Sequence, residues 1–284
     1  MPGKTNVSII GMGNWGTSLA HACRAAKIPL AETIGRSTKK TSGWPLIRLE
    51  DASLDARILW ICVRDAEIVG VAESIAAQRK RLDGQIVVHS SGALSVAPLD
   101  SVKRRGAEVA SLAPVMSFPT RTPVPLSGVL FAVEARAAID SRMNALVRKL
   151  GGKPFPVRTK EKPLYHAAAT MASPLLVSHF SAALAMARLA GLSDANARQW
   201  IAALAQATMK NIFERGEGKS FSGAFARGDI ETIRLHLQSL QQHPMLREIY
   251  ISLARHAVET LPVQNRKELE SLLRKDRRGK FTDA

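Results

Sequence analysis

The chain has 284 residues, 46% of them apolar and 23% charged, and a formal net charge of +16. That length fits two modest domains or one large one, and the composition is that of a globular protein, not of a disordered or fibrous chain. Excess Lys and Arg raises nucleic acid as a partner, but the basic residues are dispersed and only 5% of residues are aromatic, which argues against a nucleic-acid surface. The one denser basic run, 274–280, reads as a solvated tail, and the remaining excess suits an anionic small molecule.

The first element is carried by "NVSIIGMGNWGTSLAHACRAA". Val7, Ile9 and Ile10 form a strand pattern, Gly11, Gly13 and Gly16 follow it, and Leu19, Ala20, Cys23 and Ala26 open a helix pattern. Gly-x-Gly-x-x-Gly in this strand–turn–helix context is a dinucleotide fingerprint. Gly11 makes the turn, Gly13 lets the backbone approach a pyrophosphate, and Gly16 allows the helix to pack closely on the strand. The start of the helix offers bare N–H groups and the positive end of its dipole. Asn14 and Trp15, between the second and third glycines, join the cofactor-binding set, as does Val63 at the end of a later strand.

The second strand, 31–35, runs into "IGRSTKK". An acid at this point would bond the ribose 2′-hydroxyl of NAD, whereas Arg accommodates a 2′-phosphate. Here Arg36 and Ser37 stand just past the strand, with Thr38, Lys39 and Lys40 behind them, and Glu32 comes too early to reach a ribose. NADP is therefore expected over NAD, since a guanidinium grips a phosphate in bidentate fashion. A polar stretch to Asp55 precedes "RILWICV" (57–63), a continuous apolar run of the kind buried in a parallel sheet. A helix pattern at 66–79 and a strand at 85–91 follow, with Ser90 and Ser91 at the strand's end, on the expected cofactor edge. Shorter strand-like runs at 107–112, 128–133 and 153–158, with a helix at 137–150, complete the alternation of a doubly wound α/β domain of Rossmann type.

Beyond Thr159 only helix patterns appear, at 163–190, at 194–214 behind Ser193, at 230–242 behind Asp229, and at 245–261 before Pro262. The expected division is a dinucleotide-binding domain at 1–158 and a smaller all-helical substrate and dimerisation domain at 159–284. Residues 167–187 carry no Asp, Glu, Lys or Arg over nearly the length of a bilayer span. Being rich in Ala, Ser and Thr, with Pro174 and His179 inside it, the run reads as a helix buried within protein on all sides, with no membrane implied. An uncharged helix of that length exceeds what a small helical domain covers, so a homodimer through this domain is expected. Cys23 and Cys62 show no metal-ligand spacing, so no metal is expected, and the first apolar stretch is too short for a signal peptide. The expected compartment is the cytoplasm.

"VHSSGALS" (88–95), "SFP" (117–119), "LGGKPF" (150–155), "KPLYHAAATMAS" (162–173) and "ARGDIETIRLHL" (226–237), in this order, resemble the bacterial Rossmann-like family with a C-terminal domain of unknown function (family 2520). More distantly the chain resembles the 6-phosphogluconate dehydrogenase superfamily, which includes β-hydroxyacid dehydrogenases, pyrroline-5-carboxylate reductases and deazaflavin-dependent NADP oxidoreductases. The turn "GNWGTSLA" (13–20) is also similar to that of glycerol-3-phosphate dehydrogenases. The resemblance implies a nicotinamide cofactor across the carboxyl edge of the sheet, a helical domain that dimerises, and a cleft between the domains for a small-molecule substrate. It also implies a proton-transfer lysine opening the long helix of the helical domain, and Lys162 matches that position. Pro163 is expected to steer Lys162 away from helical dihedrals and leave it at the positive end of the helix, where its pKa falls. His166 lies one turn on as the second catalytic candidate, with Thr170 and Ser173 continuing its face. Asn211, Arg227, Asp229 and His236 are secondary, Arg227 as a ligand for a carboxylate or phosphate.

Three positions depart from the family pattern. Ala113-Pro114 stands where His-Pro is expected, Ser173-Pro174 where Ser-Asn is expected, and Ser222-Gly223-Ala224 where Thr-Gly-Pro is expected. Two function classes follow. One is an NADP-dependent oxidoreductase acting on a small anionic substrate. The other is a non-catalytic NADP-binding sensor or interaction protein that has lost chemistry at Ala113, Pro174 and Ala224.

Overall fold

Seven strands form one sheet in the order β2-β1-β3-β4-β5-β6-β7, with β1 at Val7–Ile10, β2 at Leu30–Ile34, β3 at Ile58–Ile61, β4 at Ile86–His89, β5 at Glu108–Pro114, β6 at Leu130–Ala135 and β7 at Lys153–Pro156. The first five strands are parallel, β6 runs antiparallel to β5, and β7 is parallel to β6. This computed structural model describes residues 5–38, 41 and 43–275. Every residue of β1, β3 and β4 is buried, as continuous apolar runs require when helices cover both faces of a parallel sheet.

On one face, α1 (Asn14–Ala25) and α4 (Ala137–Lys149) pack Leu19, Cys23, Ile139 and Met143 against Ile9, Trp60, Val88 and Phe131. On the other, α2 (Ile68–Gln78) and α3 (Asp100–Lys103) set Ile68, Ala72, Ile75 and Val102 against Ile10, Ile61, Val87 and Val109. The expected strands and helices lie within a few residues of those observed, and the domain is a doubly wound α/β fold of Rossmann type. Chain order reverses at β1, with β2 on one side and β3 on the other, so the turn at Gly11 sits at the topological switch point where such sheets bind ligands. Glu32, read as too early to meet a ribose, accepts hydrogen bonds from Ser8 Oγ and from the backbone N–H groups of Ser53 and Leu54. It thereby ties down the stretch before β3.

The run 163–190, expected as one helix, is two: α5 (Lys162–Ala172) and α6 (Pro174–Leu189). Ser173 leaves helical geometry at φ −129° and ψ −84° because Pro174 disfavours the α region for the residue before it and has no N–H to donate. The chain divides into compact units at this break, Met1–Ser173 and Pro174–Ala284, one helix beyond the expected division at 158. Lys162 also differs from expectation, being helical at φ −55° and ψ −44°. A 3-10 turn at Thr159–Glu161 has already started the helical path, and Pro163 falls in the first turn, where no intrahelical donor is needed.

The expectation of a helix buried on all sides does not hold. Thr159–Leu189 is long and apolar enough by composition to cross a membrane, yet very little of its most apolar stretch is buried. Leu164, Met171, Leu175, Val177 and Leu189 all face outward, and the break at Ser173 divides the run.

The second unit continues with α7 (Asp194–Arg215), α8 (Glu217–Ser220), α9 (Ala224–Arg227), α10 (Ile230–Ser239), α11 (Pro244–Thr260) and α12 (Arg266–Lys275). Its core joins Ile233 and Leu237 of α10, Ile251, Ala254 and Val258 of α11, and Leu269 and Leu273 of α12. Ser193 caps α7 by accepting from Asn196 N–H. Asp229 occupies the cap position of α10, but its carboxylate is held by Arg227. In α7 only Ala197 is buried, and Trp200, Leu204 and Phe213 are exposed. Of the basic run read as a tail, Arg274 lies in α12 and pairs with Glu270 at 3.3 Å. Residues 276–280 of that run lie outside the described residues, as do Lys39 and Lys40.

Candidate cofactor and active site

The glycine turn is set by space as well as by backbone angle. Gly11 has φ +104°, and a Cβ there would stand 2.7 Å from the Cys62 carbonyl oxygen and 2.8 Å from Cγ1 of Val63. A Cβ on Gly16 would collide with the Gly11 carbonyl oxygen, so α1 and the turn touch backbone to backbone. A Cβ on Gly13 would meet nothing within 4 Å. The N–H of Thr17 closes the first turn of α1 on Gly13 O at 3.0 Å. This leaves the N–H groups of Asn14, Trp15 and Gly16 outside the intrahelical ladder, and no acidic residue lies in that turn. The turn therefore fits a dinucleotide pyrophosphate: open space over Gly13, unused donors and a positive helix end.

The side chains of this turn lock it to the sheet. Asn14 Nδ2 donates to Phe118 O at 2.8 Å. The indole N–H groups of Trp15 and Trp60 both donate to Ser90 Oγ, at 2.8 and 2.7 Å, and Trp15 packs among Trp60, Phe118 and Phe131. Ser90 is thus taken up by two indoles just past β4. On the far side of the turn, Arg36 and Ser37 stand in the loop after β2. Arg36 is exposed and lies 3.5 Å from Glu67, which Arg64 engages at 2.7 Å. Hydrogen bonding to Arg64 holds the Glu67 carboxyl below the usual carboxylate range, although partial desolvation opposes it.

A second set of polar side chains lies in one transverse row of the sheet. His89 of β4 pairs in register with Ser111 of β5, and Ser111 with Glu134 of β6, so all three project from the same face. Lys162, at the start of α5 and 1% exposed, closes the row. Its Nζ donates to Ser111 Oγ at 2.7 Å and stands 3.1 Å from Glu134 Oε2. Thr159 Oγ1 donates to the other carboxylate oxygen at 2.7 Å. Burial lowers the Lys162 pKa from its ordinary value, and the hydrogen bond and charge of Glu134 work against that fall. Ser111 Oγ donates in turn to Ser91 O at 3.1 Å, while Ser91 Oγ donates to Asp65 at 2.7 Å and accepts from the N–H groups of Ala93 and Leu94. His89 Nδ1 accepts from Ser91 N–H, and its Nε2 lies 2.8 Å from Ser95 O. Burial pushes its pKa down to about 4, so the ring is neutral at pH 7 and its proton sits on Nε2.

The structure brings two groups of expected site residues together: Gly11, Gly13, Asn14, Trp15, Gly16, Val63 and Ser90 at the turn, and Ser91, Lys162 and His166 at the ends of β4 and β5. His166 is exposed, and a Cβ on Gly92 would stand 2.7 Å from its Nδ1, so its ring lies over the loop that follows Ser91. Asn211, Arg227, Asp229 and His236 belong to the second unit, where Arg227 pairs with Asp229 and His236 Nδ1 lies 2.7 Å from the Tyr250 hydroxyl. Sequence reasoning missed Asp65, His89, Ser111 and Glu134. The signal for Glu134 was an acid placed directly after the apolar run "GVLFAV".

No curated protein sequence matches the chain. Solved structures match its fold. A candidate NADP oxidoreductase from Bacteroides fragilis is 17% identical with a TM-score of 0.74, over 89% of this chain and 97% of that one. A protein from Thermotoga maritima is 20% identical with a TM-score of 0.69, over 96% and 100%. A reductive aminase from Aspergillus terreus, in complex with NADPH and ethyl-5-oxohexanoate, is 16% identical with a TM-score of 0.66, over 94% and 99%. Family models match residues 1–114 as a Rossmann-like domain and residues 129–257 as a domain of unknown function (DUF2520). The chain thus carries, in order, the two domains of the family its motifs resemble, a Rossmann-like domain followed by DUF2520.

Proposed function

We propose that this protein is an NADP-dependent oxidoreductase that moves a hydride between the nicotinamide and a small anionic substrate. The observation that carries this reading is the glycine turn, where Gly13 faces open space at the head of a helix with no acid in its first turn. Arg36 after β2 adds a cation where a 2′-phosphate would need one, and the fold is shared with an aminase crystallised with NADPH. When bound, the nicotinamide supplies or accepts the hydride. This chain's part is to hold and to protonate. The N–H groups of Asn14, Trp15 and Gly16 receive the pyrophosphate over Gly11 and Gly13, Arg36 and Ser37 take the 2′-phosphate, and Val63, Ser90 and Ser91 line the edge.

Lys162 is assigned as the group that holds or gives a proton at its Nζ, with His166 assisting from the next turn. Nζ is buried and already engages Ser111 and Glu134, so one of its three N–H donors is left for a substrate oxygen or nitrogen. That same occupancy favours a second reading, a non-catalytic NADP-binding protein in which Lys162 is an anchor. Buried Cys23 and half-buried Cys62, both free thiols, support a reducing compartment and hence the cytoplasm. A homodimer is proposed through α6 and α7. Half-buried Leu176 and Phe180 of α6 and exposed Trp200 and Leu204 of α7 line a groove of 1190 Å³, an apolar surface of the kind that marks an interaction site.

Calorimetric titration of the purified protein with NADP and NAD should give the tighter binding for NADP. Arg36→Ala should remove about 1.5–3 kcal/mol of NADP binding, as for the loss of a charged hydrogen bond, and leave NAD unchanged. Equal affinities for the two nucleotides contradict the assignment. Nicotinamide absorbance over a panel of ketones, imines and hydroxy acids identifies turnover. On the substrate so found, Lys162→Met and Lys162→Met with Glu134→Gln, the pair leaving no unpaired buried charge, should each lower turnover by about a hundredfold or more at unchanged nucleotide affinity. Full turnover in either variant removes Lys162 from the chemistry. Sedimentation velocity at micromolar concentration should give a two-chain species, and a monomer at that concentration rules out the proposed interface.

A further inference from the structure

The ion cluster beside the glycine turn has the form of an anion site filled from within. Arg36 lies in the loop after β2 and Arg64 in the loop after β3, the strands that flank β1 on either side. Both guanidinium groups converge on one oxygen, Glu67 Oε1, at 3.5 Å from Arg36 and 2.7 Å from Arg64. The other carboxylate oxygen accepts from the Arg64 backbone N–H at 3.4 Å. The arginines are 86% and 77% exposed, and surface pairs of this kind hold weakly enough to be exchanged. A single carboxylate oxygen shared between two guanidinium groups uses little of what they offer. A phosphate monoester carries up to two charges and three acceptor oxygens, and planar guanidinium groups match it in bidentate fashion.

We propose that Arg64 is the second arm of a 2′-phosphate clamp with Arg36, and that Glu67 is its internal place-holder, displaced when the phosphate enters. The inference rests on the NADP reading above and adds what sets the preference. Arg36 alone reaches a phosphate from one side of the turn. With Arg64 across the turn, the phosphate is gripped from two strands, and a nucleotide without it leaves the Glu67 contacts intact. The preference for NADP is then reduced by the need to displace Glu67, and loss of its negative charge strengthens binding of the phosphorylated form only.

The test uses the adenosine half of the cofactor, which needs no turnover. Titrate the full chain with 2′,5′-ADP and with 5′-AMP in the wild type and in Arg36→Ala, Arg64→Ala and Glu67→Gln. The wild type should prefer 2′,5′-ADP. Arg64→Ala should weaken that ligand about tenfold and leave 5′-AMP unchanged, which also shows that the variant is folded. Glu67→Gln, which keeps an acceptor for the Arg64 backbone, should tighten 2′,5′-ADP severalfold and leave 5′-AMP unchanged. If Arg36→Ala is selective and Arg64→Ala is not, or if Glu67→Gln leaves 2′,5′-ADP no tighter, the clamp is overturned while the NADP reading stands. If the wild type binds the two ligands equally, both fall.

Discussion

A lysine taken out of water has to be met by an opposite charge, and in this protein that requirement organises the edge of the sheet. Lys162 meets Glu134 and Ser111. Ser111 and Glu134 are direct register partners across the antiparallel pairing of β5 and β6. A sheet that stayed parallel at β6 would give this row a different register. The pair fastens the start of α5 to the carboxyl ends of the central strands, and α5 then carries His166 to the loop after β4. Removing one partner of such a pair costs about 3–5 kcal/mol, since the other is left buried and uncompensated. The network continues through Thr159 on Glu134 and through Ser111 on Ser91.

The same requirement sets a tension between anchoring and chemistry. Burial lowers the Lys162 pKa and Glu134 raises it, the two opposing influences by which a lysine is tuned toward proton transfer. A lysine free in solvent would have neither. Yet the partners that tune it also take up two of its three N–H donors. The proposed phosphate clamp presents a parallel situation, with Glu67 engaging both of its arginines. In both places charged groups are pre-placed and paired. A ligand then does not have to order a loose side chain.

The Rossmann half was legible in the sequence because its signals are local: four-residue apolar runs, three glycines at fixed spacing and a following helix. Gly11 and Gly16 earn their place through contacts with Cys62 and with each other, which the spacing alone implied. The row His89, Ser111 and Glu134 was not legible, since these residues become neighbours only through strand register, and register across an antiparallel switch is not written in any one segment. Lys162 was found by resemblance, but its partner was not. The break at Ser173 follows from Pro174 and was open to a local reading, whereas the exposure of the apolar helices was not, because amphipathic spacing does not say whether a second surface covers a face. Helix α12 escaped for a different reason. Leu269 and Leu273, four apart and buried, are set among Arg, Lys and Glu, which masked the stripe.

The central claim is that Lys162 and Glu134 form one buried, coupled pair that fastens the start of α5 to the sheet. A double-mutant cycle in urea unfolding with Lys162→Met, Glu134→Gln and the two combined tests it most directly. The account predicts that each single change costs about 3–5 kcal/mol and that the double variant recovers a large part of the summed loss. Single costs below about 1 kcal/mol that simply add would contradict it, since that is the behaviour of an exposed, independent pair.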